Sequence, residues 1–174
     1  AMKNLRDQAA KLDKKLENTR ARTIGATEEL AQVLGLERPP RRIEGYDISN
    51  TQGVLSVASE VVMIDGVCAN REYRHYRIKT VQGANDFASM HEVITRRLLH
   101  GQTELAERQA QGLDPKGGKF SDLPDLILID GGAGQLAAAQ DAMHACGMEI
   151  PMFGLAKRIE EIVLPYSDTR IVLD

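Results

Sequence analysis

The stretch Asp125-Leu126-Ile127-Leu128-Ile129-Asp130, followed at once by Gly131-Gly132-Ala133-Gly134, constrains this chain more than any other segment. An uninterrupted apolar run bounded by acids is a strand covered on both faces, and such strands belong to sheets with helices packed above and below. The glycines turn that strand into a helix over Gln135 to Cys146, closed by Gly147. Pro151 to Ala156 reads as the next strand. The fold class is therefore α/β.

The segments before it complete the pattern. Ile43 to Ser49 reads as a strand, Asn50 to Gly53 as a turn, and Val57 to Ile64 as a β-branched strand ending on the hairpin signal Asp65-Gly66. Glu72 to Lys79 alternates charged with aromatic or aliphatic residues, as a half-buried third strand does. Asn85-Asp86 caps a helix expected to run to Gly101, and Gln102 to Asp122 reads as a short helix and a loop. Ile162 to Pro165 and Thr169 to Leu173 suggest a closing hairpin. The order is a mixed sheet, β-β-β-α-β-α-β, flanked by helices. Ahead of it lies an N-terminal helical extension with Leu5, Leu12 and Leu16 on one stripe. A break at Thr19 to Gly25 is expected before a second helix, Ala26 to Leu36, and Pro39-Pro40 stops it. This divides the chain into an extension, 1–38, and a main domain, 39–174.

Composition narrows the function. At 174 residues the chain is long enough for one real core, and it is neither disordered nor a disulfide scaffold. No apolar run approaches the roughly 20 residues of a membrane span. The N-terminus lacks the apolar stretch of a signal peptide. Two separated cysteines, Cys68 and Cys146, fit a reducing cytoplasm and no zinc site. A net charge of −3 means that any grip on nucleic acid is local or shared with a partner.

Two carboxylates stand out. Asp47 lies inside the first strand and Asp130 ends the fourth, where open α/β sheets place their ligands. If those strands are parallel neighbours, the two acids converge and favour a hard cation bound through oxygen, Mg²⁺ or Mn²⁺, a site suited to phosphoryl transfer. Arg74, Arg77 and Lys79, with Arg96 and Arg97, form a candidate phosphate track. Gly131 and Gly132 let the backbone approach a phosphate, although neither nucleotide fingerprint is met. An alternative from another class is a non-catalytic module that binds a nucleotide or a partner through the Gly131–Gly134 turn.

Arg42 to Asn50, Glu72-Tyr73-Arg74, Gly83 to Met90 and Pro124 to Gly132 together closely resemble the C-terminal half of the UvrC family, the incision subunit of the bacterial UvrABC excinuclease. The resemblance implies an RNase H-like endonuclease domain, DNA cleavage on the 5′ side of a lesion in nucleotide excision repair, and a divalent metal. It places the family's catalytic carboxylates on Asp47 and Asp130 and a third acidic position on Asp86, where a helix-capping aspartate would look the same. It implies damaged DNA and UvrB as partners, with UvrA acting indirectly, and Leu5-Arg6-Asp7-Gln8 resembles the tail of the UvrB-interacting motif. Ala133 stands where the family commonly has Lys. The family's His-bearing motif and helix-hairpin-helix module fall outside this sequence, so the fragment alone is expected to be weak or inert.

Overall fold

The computed structural model describes residues 2–51, 55–81, 83–156, 161–163 and 170–172. Eight strands form one mixed sheet: β1 (Arg42–Thr51), β2 (Leu55–Ile64), β3 (Val67–Cys68), β4 (Arg74–Arg77), β5 (Leu126–Asp130), β6 (Met152–Ala156), β7 (Glu161–Val163) and β8 (Arg170–Val172). The order across it is β3-β2-β1-β5-β6-β7-β8, with β4 also on β2. β1, β5 and β6 run parallel, and the other pairings are antiparallel. This is the expected mixed α/β sheet.

The sheet's first face carries α2 (Asp86–Ala110) and α3 (Ala133–Ala145). Tyr46, Ala58, Ile127 and Ile129 meet Met90, Val93, Ile94, Leu98 and Leu136 there in one buried core. Each such aliphatic side chain contributes about 1.5–3 kcal/mol by leaving water. The second face is covered differently. α1 (Met2–Leu34) lays only its C-terminal part across the sheet, where Leu30 and Leu34 join Ile43, Leu126 and Phe153. β5 thus has apolar contacts on both faces, which its unbroken aliphatic run requires.

Three elements depart from the sequence reading. The first is α1, a single helix with no break at Thr19 to Gly25. The hydroxyls of Thr19 and Thr23 donate to Lys15 O and Arg20 O, both at 2.9 Å, so these residues are satisfied within the helix. The second is α2, which passes through Gly101 to Ala110. A Cβ on Gly101 would stand 2.5 Å from Leu123 Cδ2. That glycine serves close packing and does not end the helix. The third strand, read as Glu72 to Lys79, finally, is the shorter β4, with Glu72 in a 3₁₀ turn, Asn70–Glu72, and an additional short strand, β3, precedes that turn and also pairs with β2. Asn85 caps α2 as expected, its Oδ1 accepting from Ala88 N at 3.0 Å. The central turn residues of the first hairpin, 52–54, lie outside the described residues.

Asp65 and Gly66 have φ of 51° and 75°, a pair of left-handed residues that matches the twist of β2 and β3. A Cβ on Gly66 would lie 2.7 Å from Thr23 O of α1. Gly66→Ala is therefore expected to cost at least about 1–2 kcal/mol from backbone conformation alone, a fall of roughly 2–8 °C in Tm by thermal melting. A variant as stable as the parent would contradict this seating of α1.

Candidate active site

Asp47 and Asp130 come together through strand register. Tyr46 pairs with Ile129 across the parallel β1–β5 ladder, and each aspartate is the next residue along its strand. Tyr46 and Ile129 are buried on the α2–α3 side. Successive side chains alternate, so both aspartates belong to the opposite face. They line one recess of about 300 Å³ with Gly45, Val61, Leu128 and Leu155. On this face the C-terminal part of α1 packs beside Ile43, Leu126 and Phe153, and among the described residues it does not line that recess. A Cβ on Gly45 would come within 2.9 Å of Val61 Cγ2, so glycine keeps the floor clear beside Asp47. Ser49 Oγ donates to Asp47 Oδ2 at 3.4 Å.

The donor set is two carboxylates, in a recess whose other lining is mostly apolar and includes Ser59. All-oxygen ligation of this kind fits Mg²⁺ or Mn²⁺, which take one or two protein carboxylates and complete their shell with water and substrate phosphate. Among the described residues no group of three or more His, Cys, Asp or Glu side chains is placed to hold a metal ion. Asp86 is the first residue of α2, in the layer behind the sheet. The start of α2 reaches the same end of the sheet as the β5–α3 turn, since Phe87 packs where a Cβ on Gly134 would be, 2.8 Å from its Cε1.

The cationic residues divide into buried and exposed ones. Arg97, expected on a phosphate track, is 0% exposed and points into the domain. Its Nη2 and Nε donate to Glu44 Oε1 and Oε2 at 2.7 and 3.1 Å, and its Nη1 and Nη2 donate to Phe120 O and Asp122 O, both at 2.9 Å. Four of its five N–H groups are engaged inside the domain, and at 0% exposure it presents nothing to a phosphate at the surface. Arg74 donates to Lys119 O and lies over the Phe120 ring at 4.5 Å, holding that loop. Arg96 donates to Arg77 O at 2.7 Å and Glu92 Oε1 at 3.1 Å. Arg77 and Lys79 are exposed. They border, with Arg96, the strand edge that a backbone phosphate could follow.

Gly131 and Gly132 also differ from each other. Gly131 N already donates to Leu155 O at 3.1 Å, and Gln135 occupies the space a side chain at Gly131 would fill. Gly132 is the N-cap of α3, with open space beside it.

Sequence reasoning missed the polar network behind the site. On the inward face of β1, Glu44 accepts from Arg42 Nε at 2.7 Å, from Tyr46 OH at 2.7 Å and from Arg97. On β2, Glu60 accepts from Tyr76 OH at 2.6 Å, and Arg97 Nε stands 3.6 Å from its other oxygen. Burial, with Glu44 nearby, raises the Glu60 carboxyl above its ordinary range. The signal was the parity of Arg42, Glu44 and Tyr46, which share one face of a strand whose other face carries Asp47.

Glu92 anchors the exit of β4. It accepts from Lys79 N, Thr80 N and Thr80 Oγ1 at 2.9, 2.8 and 2.6 Å. Burial pulls its carboxyl upward, but these bonds and Arg96 outweigh that and hold it below the usual carboxylate range. Such a group contributes stability above its unfolded pKa, about 4.3, and that stability is lost as pH falls through the folded value. Glu92→Gln is expected to flatten the acid limb of a stability–pH curve below about pH 5 in urea melts. An unchanged acid limb would contradict this.

The sequence also matches known proteins. A family model described as the UvrC RNase H endonuclease domain matches residues 31–174. The chain belongs to that family. "UvrABC system protein C" of Alkaliphilus oremlandii is 50% identical over 129 residues, 74% of this chain and 21% of that protein. The protein of the same name from Clostridium perfringens strain 13 is 48% identical over 132 residues, 76% of this chain and 21% of its own length. The chain thus spans about a fifth of the length of the curated relatives it matches. Human ENDOV, a solved structure, superposes with a TM-score of 0.36 at 18% identity, covering 67% of this chain and 46% of that one. Among the described residues no helix is long and apolar enough to cross a membrane.

Proposed function

We propose that this UvrC-family domain is the metal-dependent nuclease core that makes the 5′ incision beside a lesion in DNA. The observation that supports it most is the pairing of Asp47 and Asp130 as next residues along neighbouring parallel strands, on one face and around one recess. Asp47 and Asp130 would hold Mg²⁺ or Mn²⁺, whose chemistry there is Lewis-acid polarisation of a phosphodiester and activation of water. Ser49 orients Asp47 through its hydroxyl. Val61, Leu128 and Leu155 give the carboxylates an apolar flank on one side. Arg77 and Lys79, with Arg96 behind them, neutralise flanking phosphates. Asp86 supplies the third acidic position from the start of α2.

In this reading the full-length polypeptide works in the cytoplasm on damaged DNA with UvrB, and with UvrA indirectly. The non-catalytic alternative through the Gly131–Gly134 turn would rest on Gly132 and the start of α3, because the Gly131 N–H is already bonded to Leu155 O.

The test is Mn²⁺ titration followed by electron paramagnetic resonance. The parent chain is expected to bind the ion, and Asp47→Asn and Asp130→Asn each to weaken binding by more than tenfold. Equal binding by parent and variants would sink the assignment.

A further inference from the structure

We propose that the overhanging half of α1 is a docking seam for an acidic amphipathic helix of a partner protein. One stripe of α1 runs through Leu12, Leu16, Thr19, Thr23, Leu30 and Leu34, spaced by fours, a three and a seven, close to the repeat of a helix–helix seam. Its C-terminal part already serves that purpose within the domain. Leu30 and Leu34 pack on the sheet, Thr27 is buried, and Thr23 touches the Asp65–Gly66 turn. Beyond that turn the same stripe continues with nothing beneath it among the described residues. Leu12 is 59% exposed and Leu16 is 60% exposed, against 9% for Leu34.

A helix that leaves its packing surface is marginal in water by itself. The stretch from Lys11 to Arg22 therefore gains most from a cover that continues the seam. Its flanks say what kind. Lys11, Lys14, Lys15, Arg20 and Arg22 outnumber Asp13 and Glu17, although the chain as a whole carries a net charge of −3. Lys15 and Arg22 precede the stripe positions Leu16 and Thr23, where seam-edge charges choose the partner. A second copy of α1 would set these cations against one another, which is repulsive. A helix with leucines along one face and glutamates at its edges meets both the apolar stripe and the charge.

The test uses the whole chain and two labelled peptides followed by fluorescence anisotropy. Both are three-heptad helices with leucine at the seam, one with Glu and one with Lys at the flanking positions. The acidic peptide is expected to bind at least about tenfold more tightly than the basic one, with affinity falling as salt rises. Leu12→Gln/Leu16→Gln is expected to remove that binding while circular dichroism and Tm stay near the parent's, since both side chains are exposed. Lys15→Glu/Arg22→Glu is expected to reverse the preference between the peptides. Equal binding of both peptides, or unchanged binding by the Gln pair, would overturn the proposal. So would sedimentation showing a dimer of the chain that the Gln pair dissolves, or a DNA duplex that competes the acidic peptide off the parent chain.

Discussion

Replacing Arg97 with alanine is expected to lower the stability of the domain by about 3–5 kcal/mol, because it removes one of the two arginines, with Arg42, that compensate the fully buried carboxylates of Glu44 and Glu60. Arg97 is enclosed between α2 and β1, and Glu44 accepts two of its N–H groups. The same side chain ties the loop at Phe120 and Asp122 to the helix, so its loss frees those carbonyls as well. For a chain of this size each kcal/mol lowers Tm by about 2–4 °C, so a fall of roughly 6–20 °C should appear in a thermal melt. Arg97→Lys should recover only part of it, since an ammonium cannot span both oxygens of Glu44 as a guanidinium does. An alanine variant within about 2 °C of the parent would mean that the buried pair is not what holds α2 to β1.

The second large effect concerns activity. In the full-length protein, Asp130→Asn is expected to reduce divalent-ion-dependent nicking of lesion DNA by more than about 10²-fold, since even residues behind a metal ligand cost 10–100-fold when changed. Asn keeps the size of the side chain and removes the charge that a hard cation needs, so the fold should survive. Asp47→Asn should match it, and Asp86→Asn should share the loss if the third acidic position works with the other two. Gel assays of 5′ incision with Mg²⁺ or Mn²⁺ read all three. A fully active Asp130→Asn protein would remove the basis of the assignment.

The sequence carried the site further than it carried the charges. The aliphatic run of β5, its bounding acids and the glycine turn were enough to place Asp130 at a strand's carboxyl end, and the hairpin signal at Asp65-Gly66 set β2. Those features are local, so they are readable from neighbours in the chain. Arg97 was not readable in that way. Its partner Glu44 lies 53 positions away, and an arginine beside Arg96 on a helix looks like surface until the sheet is folded beneath it. Arg74 misled for the same reason, since Phe120 and Lys119 reach it only in three dimensions. Gly101 and Gly25 show the converse. Both read as helix breakers, yet each lies inside a helix, and at Gly101 packing against Leu123 demands the missing side chain.

What the proposed function rests on is that two acids brought side by side by the β1–β5 ladder share an ion. A crystal of the chain soaked in Mn²⁺, with anomalous density measured at the manganese edge, examines this directly. A peak in contact with the carboxylates of both Asp47 and Asp130, at the rim of the recess lined by Val61 and Leu128, is the expected result. Density bound elsewhere, or none at these two side chains with Mn²⁺ in large excess, would contradict it.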